Sequence, residues 1–220
     1  MKYYLQNHFF AAVVFSVVPI LISCSKNSNS NNQKDNLSSQ INNLPKEPLN
    51  ADEQATLSFM REEEKLARDV YVFLYNKWGT NIFTNISSSE QTHMDAILQL
   101  LNKYNLPDPV GSNGSGTFSS TILQNLYTQL TTQGGISTLE ALKVGATIED
   151  LDIYDLKTAL TKVDNQDITL VYNTLMKGSR NHLRSFYSNI LNAGGTYTPQ
   201  FITQAEFDAI INSPMETGGQ

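Results

Sequence analysis

Two scarcities bound this 220-residue chain before any motif is read. It has one cysteine, Cys24, so no disulfide can form within the chain and the fold must be stable through its core alone. It also has no excess of positive charge: 15 Lys and Arg stand against 21 Asp and Glu, a formal net charge of −6, with no basic stripe. That balance argues against nucleic acid as a partner. No phosphate loop, dinucleotide fingerprint, nucleophile triad or internal repeat is visible. Long apolar runs are missing too, apart from Phe9 to Ile22 behind Lys2. That run is too short and poorly flanked for a spanning helix but suits the core of a signal peptide.

The run ends in Leu21-Ile22-Ser23-Cys24, which resembles the bacterial lipoprotein box. The resemblance implies removal of residues 1–23, lipidation of Cys24 and an extracytoplasmic protein anchored to a bacterial membrane; an ordinary secretory signal with an incidental cysteine is the alternative. Residues 24–49 are Ser, Asn, Gln and Lys with few apolar side chains, a composition that buries too little surface to offset its ordering entropy. They are expected to be a disordered tether. Residues 50–213 are long enough for one domain with a full core, and residues 214–220 are expected to be a flexible tail.

The domain reads as helices throughout. Leu57, Met60, Glu64, Ala67, Tyr71 and Leu74 recur at steps of three and four, the spacing of a bundle seam. Trp78-Gly79-Thr80 punctuates it. A second seam runs through Phe83, Ile86, Glu90, His93, Ile97, Leu100 and Tyr104 and stops before Pro107. After a Gly/Ser-rich loop, a short helix is expected over Ser120–Gln133. Ser137 and Glu140 then form a cap that opens a third long helix through Leu142, Ala146, Glu149, Ile153 and Leu156. Asp164-Asn165 precedes a fourth with Tyr172, Leu175, Ser179, His182 and Phe186, and Thr203 with Glu206 caps a last short helix.

Five polar residues fall on these seams: Glu64, Glu90, His93, Glu149 and His182. Acidic side chains are almost never buried unless paired or bound to a metal. Glu90 has a rival reading, because Ser87 with Glu90 three residues on is also a capping-box pattern. Helix geometry weighs against it. Were Ser87 a helix start, Glu90 would sit by the turn and Glu64 about 15 Å above it, at roughly 1.5 Å per residue. With the helix starting near Thr80, Glu64 and the Glu90/His93 pair stand equally far from the turn at residue 78. Glu149 and the 179/182 positions are similarly centred on 164–165.

With Glu62 through Tyr71, Ser89 through Asp95, Ala141 through Ala146 with Asp152-Ile153, and Gly178 through Arg184 in view, the chain resembles the DUF2202 family of bacterial ferritin-like proteins, within the ferritin-like dimetal-carboxylate superfamily. The resemblance implies an all-α, ferritin-like four-helix bundle with a long crossover containing a short helix; an up-down-up-down bundle with that piece as a fifth packed helix is the alternative. It implies iron, or manganese or zinc, as one or two ions held by Glu64, Glu90, His93, Glu149 and His182, with Glu90 bridging. Reactivity with oxygen or peroxide would follow. One position departs from the pattern: Ser179 stands where the superfamily carries a second bridging Glu, and Asp152 is a candidate for the missing oxygen. A metal-free bundle acting as a structural or partner-binding lipoprotein is the alternative function. Glu62 and Glu63 are expected to face solvent, Arg180 and Arg184 to be ion-paired at the surface, and Tyr71, Tyr104 and Trp78 to be core.

Overall fold

The computed structural model describes residues 36–217, which contain helices and no strand. The expected signal segment, Cys24 and the first part of the tether lie outside the described residues. The helices are α1 (36–43), α2 (Ala51–Trp78), α3 (Asn81–Tyr104), α4 (Thr121–Gly134), α5 (Thr138–Leu160), α6 (Gln166–Asn192) and α7 (Gln204–Ile211).

Their ends follow from local chemistry. Asn50 and Glu53 close a reciprocal capping box at the start of α2, and Gly79, at φ 65°, turns the chain out of it. The side chains of Ser120, Ser137 and Thr203 accept the backbone N–H three residues on and start α4, α5 and α7. α2 pairs with α3 across the Gly79-Thr80 turn, and α5 pairs with α6, so two antiparallel hairpins form the molecule.

The link of residues 105–137, with α4 inside it, runs the length of the bundle. It delivers the start of α5 to the end of α2, where the Trp78 indole donates to the Gly134 carbonyl at 2.8 Å. At the opposite end, Glu53 accepts the Asp164 and Asn165 N–H groups at 3.1 and 3.0 Å, and the Tyr104 hydroxyl donates to Asp167 at 2.8 Å. α5 therefore runs antiparallel to α2, and α6 to α3.

Three expectations are corrected here. Residues 36–49 are not a tether: α1 buries Ile41 completely among Leu100, Leu101 and Ile168. Lys103 fastens it by donating to the Ile41 and Leu44 carbonyls at 2.8 and 3.0 Å. Leu37, Ile41 and Leu49 are few, but each finds apolar surface.

Glu62 and Glu63 do not face solvent; both are buried. The crossover lies over the outer side of α2, and the helix is fitted to it. Glu62 accepts the Ser119 and Ser120 N–H groups at 2.5 and 3.0 Å, and Arg61 pairs with Asp108 at 3.0 Å. Lys65, fully buried, pairs with Asp69 at 2.5 Å and donates to the Gly114 and Thr117 carbonyls. Asp69 in turn accepts the Gly116 N–H at 2.9 Å.

Nor does the tail from residue 214 hang free throughout. Glu216 pairs with Arg180 at 2.5 Å and Arg184 at 3.0 Å, so the expected ion pairing of both arginines is found, with the C-terminal segment as partner.

The strapping of the crossover generates a test. Asp69→Ala leaves Lys65 buried without its counter-ion and frees the Gly116 N–H. The expected outcome is a loss of about 3 kcal/mol in denaturant unfolding, the usual scale for breaking a buried pair, with faster amide exchange at residues 114–120.

Candidate metal centre

The structure brings all five seam residues together. Glu64 comes from α2, Glu90 and His93 from α3, Glu149 from α5 and His182 from α6, and all are buried. Each sits near the middle of its helix, where the flanking seam positions are core side chains and water is excluded. The capping reading of Glu90 is overturned: α3 begins at Asn81, and the Ser87 hydroxyl donates to the Thr84 carbonyl at 3.0 Å as a mid-helix serine does.

The five groups form two overlapping triads, Glu64–Glu90–His93 and Glu90–Glu149–His182, in each of which one donor atom per residue lies within 4.8 Å of the others. Glu90 is common to both. Its Oε2 is 2.8 Å from His93 Nδ1 and its Oε1 is 2.9 Å from His182 Nδ1. Glu64 Oε2 lies 3.1 Å from His93 Nδ1, and Glu149 Oε2 lies 3.3 Å from His182 Nδ1. The two imidazole rings are stacked at 5.8 Å.

Close approach here is mostly not hydrogen bonding. Both oxygens of Glu90, Oε2 of Glu149 and Nδ1 of His182 are buried and have no partner in hydrogen-bond geometry, although the ion-pair distances among them are short. Only the His93–Glu64 contact meets that geometry. Short distances at the wrong angle mean that these groups point at a shared space rather than at each other. Buried donor atoms of this kind call for a partner, such as an ion or an ordered water.

Neighbouring residues shape the space. A Cβ at Gly178 would come within 2.7 Å of the His93 ring, so glycine is what lets α6 pass that imidazole. Ser179 is buried and donates back to the Leu175 carbonyl at 3.2 Å. The Tyr71 hydroxyl donates to Glu149 Oε1 at 2.5 Å and packs its ring against Phe186 at 5.3 Å. Tyr71 is thus core, as expected, and also a positioning group, which its aromatic character alone did not reveal. Tyr104 and Trp78 lie at opposite ends of the bundle, away from the centre. Asp152 is buried beside the centre but joins neither triad.

Burial drives the electrostatics. It pushes Glu64 up to about 7, against the pull of His93, and also raises Glu149 against that of His182. For Glu90 burial acts upward too, but the two imidazoles outweigh it and hold the carboxylate far below the usual range. Burial would lower both histidines; the facing carboxylates reverse that, raising His93 and holding His182 at about 10. Asp152 is raised by burial and by the carboxylates of Glu63, Glu64, Glu149 and Glu90.

A family model described as an uncharacterized protein domain, DUF2202, matches residues 53–214, the span that contains all five residues. The uncharacterized protein MJ0754 of Methanocaldococcus jannaschii is 55% identical over 178 residues, covering 81% of this chain and 96% of its own length. A crystal structure of the hypothetical protein MJ0754 from Methanococcus jannaschii superposes with a TM-score of 0.78 at 55% identity, over 79% of this chain and 99% of that one.

The shifts fix a pH dependence for the metal-free protein. Glu64 lies at about 7 when folded against an ordinary 4.5, so its contribution is complete below 4.5 and lost as pH rises through 7. His182 lies at about 10 against 6.5, so its contribution is complete below 6.5 and lost as pH rises through 10. Glu90, held low, contributes above its ordinary 4.5 and loses that only in acid. The melting temperature of the metal-free protein should therefore fall between about pH 5 and about pH 9. A flat or rising profile would contradict the charge assignment.

Proposed function

The chain belongs to the family of uncharacterized DUF2202 domains, and on that footing we propose that it is a ferritin-like bundle that binds one or two divalent transition-metal ions in its core. Iron is the first candidate, with manganese or zinc as alternatives. One observation carries the reading: the two oxygens of Glu90 each approach a different imidazole nitrogen, at 2.8 and 2.9 Å, without partners in hydrogen-bond geometry. A carboxylate shared between two histidines, with a further carboxylate on each side, is the donor set expected of two adjacent ion positions. Mixed nitrogen and carboxylate ligands suit iron, manganese and zinc.

Glu64, His93 and Glu90 would hold one ion; Glu90, Glu149 and His182 would hold the other. Bound metal would supply Lewis acidity and, for iron or manganese, electrons for reaction with oxygen or peroxide. What the protein supplies is order. Tyr71 fixes the orientation of Glu149, Gly178 leaves room for the His93 ring, and the surrounding core keeps bulk water out.

Charge limits the number of ions. Three carboxylates do not neutralise two divalent ions, and Ser179 withholds the fourth. This favours one tightly held ion, or two with Asp152 turning inward. The same serine supports a second reading, in which a metal-free bundle serves as a structural or partner-binding protein and the His93–Glu64 contact at 3.1 Å helps hold the core. We also propose that Cys24 carries a lipid that tethers the domain outside a bacterial membrane. No helix among the described residues is long and apolar enough to cross one.

Elemental analysis separates the two functional readings. The purified protein offered iron, manganese and zinc should retain one or two ions per chain, and the Glu90→Ala/His93→Ala variant should retain none while its helical circular dichroism persists. A wild-type protein that stays metal-free sinks the metal reading. For the anchor, Cys24→Ser should move the protein from the membrane to the soluble extracytoplasmic fraction. Retention in the membrane would refute it.

A further inference from the structure

Outside the two triads, the fold satisfies its buried carboxylates with care. Glu53 accepts three backbone N–H groups and Glu62 two, while Asp150 accepts the Tyr197 hydroxyl and the N–H groups of residues 200–202. Asp69 and Asp167 are paired with lysines. Two buried carboxylates break this habit. Glu63 and Asp152 are each 2% exposed, and no oxygen of either has a hydrogen-bond partner.

Their surroundings make the omission systematic. Asp155, half-buried, stands beside Glu63; burial first, and this facing carboxyl group second, push Glu63 well above the usual carboxylate range. The charged groups that act most on Glu63 are Asp155 and Glu64; those that act most on Asp152 are Glu63, Glu64, Glu149 and Glu90. Every one is acidic. Glu149, Asp152 and Asp155 follow one another at steps of three on α5, about 4.5 Å of axial rise each. Carboxylates thus descend from the part-exposed Asp155 to Glu149 in the centre, with Glu63 and Glu64 opposite them on α2.

Such a series is costly in an empty protein and useful for passing a cation. A low-dielectric cleft lined by carboxyl oxygens favours cations over anions at its mouth. Oxygen ligands in succession can replace the waters of a divalent ion one or two at a time. We propose that Glu63 and Asp155 form a gate for divalent cations, and that Asp152 hands them inward to Glu64 and Glu149. The gate rests on the metal reading above, since it needs a destination.

The test follows uptake of cobalt(II), added alone to the metal-stripped full chain, by its visible absorption in rapid mixing and by calorimetric stoichiometry. Glu63→Gln and Asp155→Asn keep side-chain shape and touch neither triad. Each should slow appearance of the cobalt spectrum by about tenfold or more while the final spectrum stays that of the wild type. Glu90→Ala should instead lose the spectrum. Asp155 is half-buried, so Asp155→Asn decides the matter if Glu63→Gln folds poorly. Uptake at the wild-type rate in the variants overturns the gate and leaves the centre standing. A wild-type chain that takes up no cobalt overturns both.

Discussion

Desolvation of charge in the middle of the bundle is the constraint on which the rest of this structure depends. Glu64, Glu90 and Glu149 are removed from water together, and among the described residues the cationic groups that face them are two imidazoles. A carboxylate without water or a partner is costly by several kcal/mol, so the three cannot all be ionised unless something positive stays with them. His93 and His182 supply part of that charge, which is why burial fails to lower them. The remainder falls to protons, which is why burial raises Glu64 and Glu149, or to a bound cation as proposed above.

Holding such a demand in place needs a rigid frame. α2 contributes Glu64 on its inner face while its outer face is fastened to the crossover by Arg61, Glu62, Lys65 and Asp69. At one end Glu53 ties the start of α2 to the start of α6, and at the other Trp78 ties the end of α2 to the end of α4. The helix carrying the first carboxylate is therefore restrained on two sides and at both ends. Stability denied to the centre is supplied around it.

Much of this was legible in the sequence. The long helices were readable because their caps and apolar spacing agree: Ser137, Thr203 and the Gly79 turn sit where the periodicity stops. The convergence of Glu64, Glu90, His93, Glu149 and His182 was readable because polar residues on an apolar seam, at equal heights in each hairpin, must meet one another in the core. What the residues hold was not, since donor type constrains a metal without choosing it. α1 was hidden because Leu37, Ile41 and Leu44, although at helical steps, stand in a stretch otherwise so polar that its composition outweighed them. Glu62 misled because the cover over α2 is made by residues some fifty positions away, and Glu63 because it is buried beside Asp155 of α5; no local pattern announces either.

The bond from Tyr71 to Glu149 divides the centre into unequal halves. Glu149 is clamped by a hydroxyl on a ring wedged between Phe83 and Phe186, whereas Glu64 makes its hydrogen-bond contact with the His93 imidazole, itself a candidate ligand. One terminal carboxylate is thus a fixed jaw and the other a free one. Two occupants of such a site would experience it as a rigid seat beside an adjustable seat, sharing Glu90 as the armrest between them. Order of filling, and which of the two gives way when the centre changes state, would then be written into a single phenol.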